Sequence, residues 1–333
     1  MLERLGSKLI PVAAFVAWLS MLQVCGCGSD PVVVPPPPPG WVVQESGTGV
    51  ALWAVHFVDP DTGTAVGQLG TILRTTDGGA SWQSQVSGTE LYLLDVCFTD
   101  VNTGIAVGGA DSLSVILRTT NGGAKWVTRL LERRPRHGGL RSVSFSDAST
   151  GTVVGDGGNV LRTTDGGETW VHQSSGTTTH LLGVSLVDVD TGTAVGLDGM
   201  ILRTTDGGAS WVRQIIANQA WLWDVSFADA NTGTIVGDGG AIYRSTDGGA
   251  TWVQQSSGIS ADYHSVSFFG PDIATVVGGR TIIRTTDGGR TWTPQTGSGG
   301  GLFGYFGVHF VDANNGTIVG DDGIILHTTS GGE

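Results

Sequence analysis

Cysteine is nearly absent from this chain, 3 residues in 333. That excludes a disulfide framework as the source of its stability. Basic residues are also few: Lys plus Arg number 17 against 30 acidic residues, for a net charge of −13. Non-specific nucleic-acid binding needs a basic footprint, and this composition does not supply one. Charge of either sign is scarce, at 14%, so Ser, Thr, Gly and Asn must provide much of the surface polarity. The apolar run Leu9 to Val24 is shorter than the ~20 residues of a membrane span. Beyond it no stretch keeps a helical period, and no P-loop, Cys/His cluster or nucleophile–base pair is written in the sequence. No metal ligand set and no cofactor is expected.

What is present begins with an address. Arg4 and Lys8 precede the apolar run, and "VCGCG" puts a small residue just ahead of Cys27. Residues 1–26 read as a lipoprotein signal peptide, with Cys27 as the expected lipidation site. Residues 27–40 form a proline-rich tether, in which Pro35 to Pro39 are consecutive and favour an extended polyproline helix. The expected location is therefore the bacterial cell envelope, at the outer membrane or the cell surface, with membrane contact through lipid alone.

The rest, residues 41–333, is repetitive. "RTTDGGASW" at 74–82 returns with small changes at 118, 162, 203, 244 and 284, and "HTTSGGE" at 327 ends the chain partway through a seventh copy. Its fourth position is held by Asp77, Asn121, Asp165, Asp206, Asp247 and Asp287, recurring every 40 to 44 residues. That period suits propeller blades. Each unit also carries an inner-strand pattern such as "LWAVHF" and a β-branched run such as "GTAVG" before the nonapeptide, which together read as four strands separated by Gly, Asn and Asp turns. In the nonapeptide the carboxylate can accept hydrogen bonds from its own turn, the paired glycines allow positive φ, and the Trp fills space between blades. The last unit lacks its Trp and fourth strand, while "GWVVQESG" at the start of the repeat region resembles a fourth strand. Pairing the two ends closes the ring and removes exposed sheet edges. The expected fold is all-β, a seven-bladed β-propeller closed by the N-terminal strand.

These residues carry a resemblance. "T-x-D-G-G-x-[ST]-W" is similar to the Asp-box, or BNR, repeat of sialidases, some glucanases and sortilin-type receptors. The longer "ILRTTDGGxTW", with "GTAVGxxG" before it, resembles the photosystem II stability/assembly factor-like propellers across all seven units. That family includes exported bacterial proteins with no link to photosynthesis, and its assembly chaperones bind a membrane-protein partner and catalyse nothing. The resemblance thus implies a non-enzymatic protein-binding scaffold, here expected to be a monomer. This chain departs from the family in its glycine content, lipobox and tether. The alternative is a glycan-binding or glycan-processing protein. Against that, the sialidase arginine cluster and "RIP" motif are not found, and Asp95 and Asp224, the carboxylates on first strands, lie three blades apart.

Candidate binding residues fall in three groups. Blade two leaves through "TRLLERRPRHGGLR", the one dense basic segment, with Arg129, Arg133, Arg134, Arg136, His137 and Arg141. A basic segment in an acidic protein is a candidate dock for an acidic partner. Aromatics gather ahead of the inner strands, with Phe303 and Tyr305 on the loop expected to be exposed; such rings stack on sugars or anchor peptides. One arginine precedes each Asp-box, at Arg74, Arg118, Arg162, Arg203, Arg244 and Arg284, and the family resemblance implies a part for an arginine-rich surface in partner binding. His56 and His309 occupy places held by Ser in most inner strands and fall on adjacent blades, too few ligands for zinc. Replacing Cys27 by Ala should abolish incorporation of labelled palmitate and move the protein out of the membrane fraction; unchanged labelling would contradict the assignment of Cys27.

Overall fold

The computed structural model describes residues 40–110, 112–133, 138–216, 219–296 and 304–333. The expected signal peptide, Cys27 and all but the last residue of the tether lie outside the described residues, as do Arg134, Arg136, His137 and Phe303.

Among the described residues the chain forms seven four-stranded antiparallel sheets. Blades 1 to 6 occupy residues 52–85, 92–133, 140–174, 181–214, 222–255 and 265–294 in order. Blade 7 takes three strands from residues 305–328 and its fourth, Val42–Gln44, from the other end of the chain. The inner strand of each blade packs on that of the next, and blade 7 returns to blade 1. The joint has the register Val42↔His327, Val43↔Leu326 and Gln44↔Ile325. The ring expected from the sequence is therefore the ring observed.

The second strands, "GTAVG" and its variants, are buried throughout in every blade but the second, whose longer strand is part-buried at its two ends, because a sheet sits against both faces and suits β-branched residues. The hydrophobic clusters join neighbours: Val66 and Ile72 of blade 1 pack with Leu93, Val96 and Trp126 of blade 2. Inner strands depart from simple alternation. A register shift between Leu52 and Ala54, repeated in five other blades, is a bulge that sets two consecutive side chains toward the ring axis.

The seventh Asp-box is assembled from both chain ends. Thr328, Ser330 and the Gly331-Gly332 pair come from one end and Trp41 from the other. Trp41 is 2% exposed, meets Phe310 edge-on at 5.7 Å and donates its indole N–H to Gln295 Oε1 at 3.0 Å. Blade 2 is the outlier. Its hairpin runs Thr103–Ala110 and Leu113–Thr120, and its fourth strand is Val127–Arg133, against three residues for the fourth strand of blade 1. The basic exit segment is thus strand as far as Arg133, because the longer third strand offers it an edge to pair with, from Arg118↔Val127 to Leu113↔Arg133.

Trp41→Ala removes a large buried side chain at the joint. It should cost about 3–5 kcal/mol, read as a lowered thermal midpoint, whereas Val171→Ala on the exposed rim should leave the midpoint within error. Equal effects would contradict closure through Trp41.

Candidate functional site

The Asp-box aspartates are structural. In blade 1, Asp77 Oδ1 accepts the Ser81 backbone N–H at 2.9 Å and Oδ2 accepts the Ser81 hydroxyl at 2.6 Å, while Thr75 Oγ1 accepts the Gly79 N–H at 2.8 Å. Asp165, Asp206, Asp247 and Asp287 repeat this pattern, and Asn121 keeps the backbone bond through its Oδ1. Hydroxyl and backbone donors four residues on hold the carboxyls of Asp165, Asp206, Asp247 and Asp287 down at about 2. Gly79 has φ of +85°, and a Cβ there would sit 2.1 Å from Gln44 Oε1. That approach reveals a clamp the sequence did not announce. Gln44 donates to Gly78 O and accepts from the Trp82 indole, at 3.1 Å each. Gln85 and Gln214 hold the next blade's Asp-box in the same way.

The six arginines ahead of the Asp-boxes do not make an exposed ring, which corrects the expectation of a binding surface. Arg74, Arg162 and Arg284 are buried. Each donates to a threonine of its own blade and to a main-chain carbonyl of the next: Arg74 to Thr64 Oγ1 and Val101 O, Arg162 to Thr152 Oγ1 and Val189 O, Arg284 to Thr275 Oγ1 and Ala313 O. Arg244 reaches Pro271 O, and Arg118 and Arg203 reach the Asp-box carbonyls of Gly166 and Gly248. Carbonyls at a blade junction lose water when the blades pack and are costly if left unpaired. A guanidinium, with five donors, satisfies several groups at once.

The basic segment of blade 2 is divided. Arg129 stands where other blades place the clamping Gln, and it pairs with Glu168 of the next Asp-box at 2.8 Å, beside Arg118 at 3.3 Å. Arg141 forks onto Asp156 at 2.8 and 3.1 Å, and His180 Nδ1 lies 2.8 Å from the same carboxylate. Of the described candidates, Arg129 and Arg133 are exposed on the outer strand of blade 2, Arg129 engaged with Glu168. Tyr305 is a second correction. It is 3% exposed and belongs to the core cluster with Trp41 and Phe310, because the ring closes over its strand.

The bulged inner strands line an axial cavity of about 960 Å³. Its mouth carries the bulge residues, among them Trp53, Arg141, Trp223 and Phe306, together with His264. Below them lie Asp95 and Asp224, and below those His56, Cys97, His309 and serines. The two aspartates, distant in sequence and in blade order, thus face one cavity. Each bridges to the next blade: Asp95 accepts the Val96 and Val143 N–H groups at 2.8 Å, and Asp224 accepts those of Val225 at 2.8 Å and Val266 at 2.9 Å and the Ser265 hydroxyl at 3.0 Å. Ser142 and Ser267 use a hydroxyl for the same junction. Burial pushes the Asp95 carboxyl up to about 7 and that of Asp224 up to about 6. His56 and His309 stack at 4.5 Å, and His309 Nδ1 accepts the Phe57 N–H. Burial lowers His56 to about 4 and holds His309 well below its ordinary value. Among the described residues no three His, Cys, Asp or Glu side chains are grouped as a metal site.

These shifts give a pH dependence of known sign. The depressed Asp-box carboxyls contribute stability present above their unfolded value of about 4 and lost as pH falls through about 2. The neutral histidines contribute stability present above about 6.5 and lost as pH falls toward 4. Asp95 and Asp224 act oppositely: stability is fully present below their unfolded value, about 4, and lost as pH rises through about 6 and about 7. Between about pH 4 and 7 the histidine and aspartate slopes oppose each other, so thermal midpoints should change little. Asp224→Ser keeps a hydroxyl at the junction and removes one falling contribution, so its midpoint should rise with pH across that window more than that of the wild type. Parallel profiles would contradict the assignment.

The sequence profile described as photosynthesis system II assembly factor YCF48 matches residues 85–174 and 214–294, together just over half of the chain. No curated protein matches the sequence. Among solved structures, "YCF48 bound to D1 peptide" is similar at 20% identity, TM-score 0.73, over 91% of this chain and 99% of that one. YCF48 from Cyanidioschyzon merolae is similar at 19% identity, TM-score 0.69, over 87% and 98%. A GH74 enzyme from Niastella koreensis shares the fold at 15% identity, TM-score 0.70, over 86% of this chain and 53% of that one. With its matched repeats spread over blades 2, 3, 5 and 6 of a closed Asp-box ring, the chain belongs to the photosynthesis system II assembly factor YCF48 family of BNR-repeat β-propellers.

Proposed function

We propose that this protein is a non-enzymatic scaffold of the cell envelope, which binds a segment of a membrane-protein partner and assists its assembly. The observation that carries this reading is family membership. A relative in complex with a D1 peptide supports a peptide segment as the ligand. The binding face follows by elimination within the described residues. The Asp-box face is occupied by its own clamps and by buried arginines, whereas the opposite face presents the cavity mouth, the exposed rings of Tyr92 and Trp221, and Arg133 on the edge of blade 2. Arg134, Arg136, His137 and Phe303 adjoin that face in sequence and are proposed to extend it. Lipid on Cys27 and the tether of residues 27–40 would hold the propeller, residues 41–333, near the membrane where such a partner is assembled.

The glycan-processing alternative has one observation in its favour, two carboxylates and several aromatic rings on one cavity. Inverting hydrolysis needs a carboxylate that activates water. Here both groups already receive the backbone N–H of an adjacent blade, a bond that holds the ring rather than a reactant. A photo-crosslinking residue in place of Trp221 should capture a discrete membrane protein in native membranes, and one in place of Val171 on the outer rim should not. Polysaccharide hydrolysis by the purified protein, lost on Asp224→Ser, would overturn the proposal.

A further inference from the structure

The cavity mouth is chemically two-sided. Across blades 5, 6, 7 and 1 runs an arc of rings. Trp223 lies 5.4 Å from His264, His264 5.6 Å from Phe306, and Phe306 4.4 Å from Trp53, measured between centroids. All four are half-buried and line the cavity, so they present faces and edges to whatever enters. Trp221 extends the arc outward, 6.0 Å from Trp223 and 46% exposed. Behind the arc stand Asp224, next in chain to Trp223, and Asp95 on the far side.

The two carboxylates retain accepting capacity. A carboxylate offers about four lone-pair sites; Asp95 accepts the Val96 and Val143 N–H groups and the Ser142 hydroxyl, and Asp224 likewise accepts three bonds. Among the described residues no Lys or Arg forms an ion pair with either. Arg141, which lines the same cavity, is turned to Asp156, the carboxylate that His180 also meets. His56 and His309 are held neutral by burial, and His264 Nδ1 lies 3.1 Å from Tyr305 O. The cavity therefore offers negative charge without a resident counter-ion, behind an aromatic entrance. Aromatic faces attract cations. A guanidinium is flat enough to stack on an indole, is weakly hydrated, and forks onto carboxylates, whereas an ammonium is compact and strongly hydrated.

We propose that the cavity mouth receives an arginine side chain from an extended segment of the partner protein, its guanidinium stacking on the Trp53–Phe306–Trp223 arc and hydrogen-bonding Asp224 and Asp95. This rests on the reading above that the partner is a protein, and it names what that partner must present. Burial keeps both carboxyls partly protonated near neutral pH, so guanidinium binding expels protons and strengthens as pH rises from 6 to 8. The other titratable groups lining this cavity are His56, Tyr92, Cys97, Arg141, His264 and His309.

The test is calorimetric titration of the full-length protein in detergent with a blocked Gly-Gly-Arg-Gly-Gly peptide and its citrulline counterpart, which keeps the shape and lacks the charge. The arginine peptide should bind about tenfold or more tightly than the citrulline peptide. Asp224→Ser and Phe306→Leu should each reduce that preference several-fold, with thermal midpoints confirming a folded ring. Phe306→Leu covers the case in which Asp224→Ser fails to fold. Equal binding of the two peptides, or a preference unchanged in both variants, overturns the arginine site. The Trp221 crosslink separates this from the scaffold reading: a lost preference with the crosslink intact removes the arginine site alone, and a lost crosslink removes the scaffold reading itself.

Discussion

The structure depends on a three-residue strand. Val42–Gln44 pairs with Ile325–Thr328, and through that pairing the first blade and the last become neighbours. The hydrophobic clusters lie between blades rather than within them, so a blade without a neighbour has an open apolar face. A ring has no such blade, and its strand edges face outward on short, polar fourth strands. Closure also completes the chemistry of the joint: Trp41 supplies the plug of the seventh Asp-box, and Gln295 of blade 6 clamps that box as the other clamping glutamines do. Sealing a propeller inside a repeat motif, rather than between motifs, lets the two chain ends fix each other by the same contacts used at other junctions.

Given closure, polar groups at the junctions must be satisfied, and this explains the places of the arginines ahead of the Asp-boxes and of Asp95 and Asp224. On the Asp-box face arginines cap the carbonyls of the next blade, and glutamines clamp its turn. Along the axis, serines, His309, Asp95 and Asp224 cap N–H groups of its inner strand. Arg129 shows that these roles are set by position. At the glutamine site of blade 2 it meets Glu168, which stands where most other Asp-boxes have Ala, and the pair replaces the amide clamp. What remains open is the mouth of the cavity, where bulges turn large side chains toward the axis and rings of successive blades meet.

Much of this was legible in the sequence. The nonapeptide repeats closely enough to count blades, its Thr, Asp and Gly positions give their own turn chemistry, and the match of "GWVVQESG" to other fourth strands identifies the joint. Destinations were not legible. Arg74 and its counterparts read as a surface ring because their partners are main-chain carbonyls of the next blade, which carry no sequence signal. Tyr305 read as exposed because its strand start adjoins a glycine-rich loop, yet closure buries it. Asp95 and Asp224 read as remote because sequence distance and blade count say nothing of radius: near the axis of a ring, distant blades share one cavity. The bulge that turns Trp53, Trp223 and Phe306 to the mouth has a weak sequence trace, an extra residue in Leu-x-x-Val-x-Phe, intelligible only once the register is known.

The central claim is that the chain ends meet in one sheet. Residues opposite each other in an antiparallel pair lie within reach of a disulfide, and Val42 is opposite His327. In the double variant Val42→Cys, His327→Cys, with Cys97 replaced by Ser, mild oxidation should convert nearly every molecule to a monomer with an intrachain bond, seen as a mobility shift reversed by reductant. Thiols that stay free, or that cross-link only between molecules, would contradict the account.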